Sequence, residues 1–252
     1  MTIAEQIKRA KADLDNVFAD GKQKGEDAAY NRFWDLYQRE GTRKNYKMGF
    51  SGGGWTKETF KPKYDIIATS AVSIFQMSSI NASLSEILKE NGVTLTVPTT
   101  SMENAFVDSA FTEITIDTST ATSMVNTFLQ ARNLTTLNLV LPTAESVAWY
   151  DTFYACTSLV NLKLTGKIYS RKYDSTGYAI SLAWSKNLSK ESIINVIECL
   201  DESVTGQLIT FSLTAVNNAF ETSEGAKDGS TSSEWTTLVE SRPNWTINLL
   251  DK

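Results

Sequence analysis

Few residues of this chain can do chemistry, and none of them is histidine, which is absent from all 252 positions. That removes the commonest general base, the commonest metal ligand and every Ser-His or Cys-His nucleophile pair. Carboxylate pairs such as Asp201-Glu202 and Glu26-Asp27 occur. Adjacent acids do not face one another across a cleft, as glycoside hydrolysis requires, and they read as solvated surface. The two cysteines, Cys156 and Cys199, sit among apolar neighbours. They read as small buried hydrophobes, without the spacing of a metal site. The expected inventory is therefore no catalytic residue, no metal site and no cofactor.

What remains is aromatic. Trp184 and Trp245 fall in strand-like patterns and read as core. Trp149 and Tyr150, just ahead of a repeated segment, and Trp55, beside Gly52-Gly53-Gly54, are less constrained. Amphipathic rings in such places can stack on a sugar or anchor a protein interface, so these three are the candidate binding residues. The triple glycine lacks the following Gly-Lys-Ser/Thr of a phosphate loop and reads as a hinge.

The elements that must carry these side chains show a repeat. Phe106, Phe128 and Phe153 each precede an alternating apolar segment: Phe111 to Ile116, Leu134 to Leu139, and Leu159 to Leu164. The phenylalanines lie 22 and 25 residues apart, inside the leucine-rich-repeat period. Alternation predicts short strands with one buried face, and parallel stacking of such strands builds a continuous core. A degenerate first copy contains Phe75 and Ile80, with its strand Val93 to Val97 delayed by an insertion from Leu84 to Gly92. After Gly166 strands and helices alternate. Strands are predicted at 178–184, 207–213 and 245–249. Helices are predicted from a Ser189 cap to Leu200, after a Thr214 cap, and around Trp235 to Val239. This segment should continue the parallel sheet and close the stack.

At the other end, Ile3, Ile7, Ala10, Leu14 and Val17 form an amphipathic stripe of the coiled-coil kind. A lone helix of that size is marginal in water, so the stripe needs a partner: a second copy, with a trimer as one outcome, or the chain's own body. Net charge is -5, split as 13 basic against 10 acidic residues up to Asp65 and 11 against 19 beyond it. An acidic body repels phosphates, so nucleic acid is not an expected partner. The apolar runs are too short for membrane insertion, and Met1 to Gln6 lacks the pattern of a signal peptide, so secretory export is not expected. The resulting fold class is α/β: a helical stalk over 1–47, a Gly/Pro-containing connector over 48–66, leucine-rich repeats with a parallel sheet over 67–168, and an α/β closing segment over 169–252.

The run Phe153-Tyr154-Ala155-Cys156-Thr157-Ser158-Leu159 resembles the BspA-type leucine-rich repeat. Leu188 to Ile193, Leu213 to Phe220, Pro243 to Ile247 and the connector from Gly54 to Asp65 are similar to repeat proteins encoded by phages and prophages of Gram-positive gut bacteria. The resemblance implies a non-enzymatic virion protein of the tail, baseplate or particle surface. Its implied partners are other virion proteins and a bacterial surface glycan or protein, with particle assembly in the host cytoplasm. A carbohydrate-binding module and a cytosolic bacterial scaffold or effector are the alternatives. The chain departs from the BspA pattern in having few repeats, only one of them with the cysteine, and no expected secretion signal, which favours a virion protein over an exported adhesin.

Overall fold

The computed structural model describes residues 50–52, 55–62, 65–97, 100–144, 147–169, 180–203, 205–220 and 232–252. The stalk over 1–47, with Ile3, Ile7, Ala10, Leu14 and Val17, lies outside the described residues. So do Gly53 and Gly54. Within them the chain is mixed α/β, its strands paired in parallel throughout.

The predicted Leu-x-Leu segments become β4 (Glu113–Asp117), β6 (Thr136–Val140) and β7 (Asn161–Thr165). They form one sheet in unbroken register, Ile114 beside Leu137 beside Leu162 and Ile116 beside Leu139 beside Leu164. These six side chains are buried, and the alternate residues point away from the core. Shorter pairs repeat the pattern: β1 (Ile66–Ile67) with β2 (Leu95–Thr96), and β3 (Thr100–Ser101) with β5 (Ala121–Ser123).

Opposite the sheet, the return segments stack just as regularly. Phe75, Phe106, Phe128 and Phe153 form a ladder with ring centroids 5.4, 5.4 and 5.9 Å apart and planes within 14°. Phe50 adds a further ring at 5.2 Å from Phe75, so the packed body begins inside the segment read as a connector. Phe60 is buried beside it. Between rungs the backbone N–H groups of Phe75, Phe106 and Phe128 donate to the carbonyls of Ala105, Thr127 and Thr152. The same stacking pairs Phe50 with Ile74. Each of the four rings from Phe75 to Phe153 in the ladder is flanked, two residues away on both sides, by left-handed backbone: Ser73 and Met77, Asn104 and Asp108, Asn126 and Gln130, Asp151 and Ala155. Asn and Asp tolerate that conformation best among non-glycine residues, and they supply four of the eight.

One sequence expectation is filled in here and two are corrected. The insertion from Leu84 to Gly92 is a helix, α1 (Leu84–Glu90), capped by Ser83 and burying Leu84, Ile87 and Leu88. The closing segment does not extend the sheet of β4, β6 and β7. Instead β8 (Ile180–Leu182), β9 (Gln207–Phe211) and β10 (Trp245–Leu249) form a second sheet in the order β10-β9-β8. The reason is that α2 (Lys190–Glu198) occupies the edge of β7, where a fourth strand would pair. Finally, α3 (Leu213–Phe220) is capped by Ser212, whose Oγ accepts from the N–H of Ala215, and not by Thr214. Thr214 instead bonds the carboxylate of Asp251 through both its N–H and its hydroxyl. The last helix, α4 (Ser233–Glu240), covers the Trp235 region as predicted, and Trp235 is buried.

Candidate functional site: a polar groove between the sheet and helix α2

Ser189, in extended backbone, accepts a hydrogen bond from the N–H of Ser192 and starts α2 alongside β7. Ser192 and Asn195, one turn apart, then face the strand edge. Ser192 Oγ accepts from the N–H of Leu162 at 2.9 Å and donates to the C=O of Val160 at 3.0 Å. Asn195 Oδ1 accepts from the N–H of Leu164 at 2.6 Å, and its Nδ2 donates to the C=O of Leu164 at 3.2 Å. Two helix side chains thus do the work of a neighbouring strand. The C=O of Leu162 points the same way as its N–H and receives no hydrogen bond among the described residues.

Beside this seam lies a groove of about 420 Å³ lined by Asn138, Asn161, Lys163, Ser189, Glu191 and Asn195, with Leu162 and Ser192 at its base. Its strand wall is pre-ordered. Asn138 Nδ2 donates to Thr115 Oγ1 at 3.1 Å on the neighbouring strand, and Asn161 Nδ2 donates to Thr136 Oγ1 at 3.4 Å. Each amide keeps an oxygen and a second N–H for a ligand. Lys163 and Glu191 bring opposite charges to the same hollow. The ion pairs among the described residues are Lys57–Glu90 and Lys190–Glu234, so neither groove charge is taken up. Such a site can orient a polar ligand.

A second hollow of about 430 Å³ lies between α2 and α4, lined by Ile194, Ser233, Glu234, Thr237, Leu238 and Ser241. Two of its hydroxyls are spent locally: Thr237 donates to the C=O of Ser233 and Ser241 to that of Leu238.

The candidate binding residues read from sequence do not converge on either hollow. Trp149 is a correction: it is 4% exposed, and its indole N–H donates to the C=O of Tyr169. The signal was present, because Trp149 stands four residues before Phe153 as Met102 and Met124 stand before Phe106 and Phe128, and all three are buried. Tyr150 is 39% exposed. Trp55 is half-buried, edge-on to Phe50 and Phe60 at 6.1 and 5.9 Å. Trp245 is core as expected, its N–H donating to the C=O of Asp201, but Trp184 lies in a turn after β8, half-buried against Tyr154.

Asp201 and Glu202 are not solvated surface either. Both are half-buried fasteners: Asp201 accepts from Ser203, and Glu202 Oε2 accepts from the N–H of Asn244. Cys156 and Cys199 are buried free thiols, as expected. Burial pushes the Cys156 thiol up to about 12, against a smaller opposing hydrogen bond from the backbone at Ala131. Among the described residues no three metal-ligating side chains come together, and no helix is long and apolar enough to cross a membrane. No family model, curated protein or solved structure matches this chain.

Proposed function

We propose that the chain is a non-enzymatic binding protein of a phage particle, a short leucine-rich-repeat solenoid whose open strand face meets a host or virion partner. The observation that carries the binding reading is the groove between β7 and α2, where oriented amides and two unspent charges face solvent. Support for the repeat reading is the constant register of β4, β6 and β7 together with the phenylalanine ladder. The virion role, in a tail, baseplate or particle surface, rests on the likeness of the connector and of runs in the closing segment, Leu188 to Ile193, Leu213 to Phe220 and Pro243 to Ile247, to phage-encoded proteins. The stripe from Ile3 to Val17 would join copies of the chain, with a trimer as one outcome. Sugar binding through Trp149 loses support, since that ring is buried.

Two measurements test this. Particles released by lysis and purified by density should contain the chain in fixed ratio to the other structural proteins; recovery only in the soluble lysate refutes the virion role. Light scattering on the full chain should give a multiple of the 27.9 kDa protomer that collapses when residues 1–45 are deleted. A monomer unchanged by that deletion refutes the stalk.

A further inference from the structure

We propose that the groove beside β7 binds a short peptide carrying both a free ammonium and a free carboxylate. This rests on the reading of the groove as the binding site and names the ligand it takes. Three features of the lining point to that class. Lys163 and Glu191 offer one charge of each sign, and neither is neutralised by an ion pair. A ligand of a single sign would be repelled by one of them, whereas a zwitterion satisfies both. The acceptors come next: among the described residues the C=O of Leu162 has no donor, and Asn138 and Asn161 are held laterally with their amide oxygens open. A peptide N–H suits the carbonyl of a strand edge, and carboxamides match peptide groups on both donor and acceptor sides. Among the described residues no aromatic ring lines the hollow, so they offer no stacking platform of the kind that favours a sugar. At about 420 Å³ the groove is within the range of small-molecule sites.

The experiment is an amide-resolved NMR titration of the full chain with trialanine, with trialanine blocked by acetyl and amide groups, and with the trimer of N-acetylglucosamine. Trialanine should shift the side-chain amides of Asn138, Asn161 and Asn195. Blocking both ends should weaken binding, and Lys163→Met and Glu191→Gln should each weaken it about three- to five-fold, the scale of an exposed charge contact. Added salt should weaken trialanine and leave the blocked form unchanged. Equal binding of blocked and free peptide overturns the proposal. Shifts of the same amides by the sugar trimer alone overturn the ligand class while keeping the groove as the site. No shift with any probe overturns both.

Discussion

Replacing Asn195 by leucine removes both hydrogen bonds that close the edge of β7 at Leu164. The Leu164 N–H loses its acceptor at 2.6 Å, and the Leu164 C=O loses its amide donor at 3.2 Å. A backbone group left unpaired in the interior costs about 1–3 kcal/mol. Asn195 is only half-buried, so water can reach part of the seam, and the carbonyl keeps a weak contact from Cys199 Sγ at 3.6 Å. The two losses together should therefore sit near the low end, at about 2–3 kcal/mol. For a packed body of about 200 residues that lowers Tm by about 4–12 °C. Asn195→Asp keeps the acceptor but sets a carboxylate oxygen against the Leu164 C=O, so it should also destabilise at neutral pH. Thermal unfolding followed by circular dichroism gives the stability, and hydrogen exchange gives the place. The Leu164 amide should exchange faster in Asn195→Leu, while that of Leu139 in the central strand keeps its rate. A Tm within about 1 °C of the parent, with Leu164 still protected, would falsify the claim that this side chain stands in for a strand.

Three further outcomes follow from the packing. Phe128→Ala empties the middle of the ladder, where the ring stacks on Phe106 and Phe153, and should cost about 3–5 kcal/mol in urea unfolding; Phe153→Ala, with one stacked neighbour, should cost less. Ser109→Ala should stabilise by about 1 kcal/mol in the same assay, because its buried hydroxyl has no partner and Ala131 already fills the equivalent place one rung on; a loss would mean the hydroxyl is bonded. Partial burial works to raise the Asp251 carboxyl, but hydrogen bonds from Thr214 and Ser212 and the charge of Lys186 outweigh it and hold the group below its ordinary 3.8. Its stabilisation is thus full above about pH 5 and lost as pH falls through the lowered value, so the Tm gap between parent and Asp251→Asn should be flat at neutral pH and close below pH 3.8.

Local pattern made some of this architecture readable. Leu137, Leu139, Leu162 and Leu164 alternate with polar residues and are strand residues with one buried face. Ser189 ahead of Ile193, Val196 and Ile197 is a cap before an amphipathic turn, and α2 follows it. Asn104, Asn126 and Asp151, each two residues before a ladder phenylalanine, carried a legible mark of left-handed backbone. Met77, Gln130 and Ala155 carried none, because only the hydrogen bonds of the stacked rungs hold them there. Helix α1 was missed because its buried residues, Leu84, Ile87 and Leu88, fill barely two turns and suit either an insertion or a helix. The groove was invisible for a different reason. Ser192 and Asn195 are ordinary polar residues until α2 is set against a strand about 30 residues earlier in the chain, a separation that periodicity does not see.

A stack of identical parallel strands has no intrinsic end, since each edge offers the same unpaired groups that the last strand used. Here one edge of the three-stranded sheet is met by the extended residues that lead into α1, and the other by the side chains of α2. On the β4 side Ser83, the cap of α1, forms a parallel bridge with Glu113, and the N–H of Thr112 donates to the C=O of Ala82. On the β7 side Ser192 and Asn195 supply the missing partners directly. The two closures differ in completeness. At β7 the helix side chains reach Val160, Leu162 N–H and Leu164 but pass over the carbonyl of Leu162. A helix presents inward side chains every three to four residues, whereas a strand edge presents its groups every two. The mismatch leaves a carbonyl over, at the point where the outward amides of β6 and β7 converge with Glu191. The groove is therefore a consequence of ending a sheet with a helix, which leaves an open polar hollow at the edge of β7.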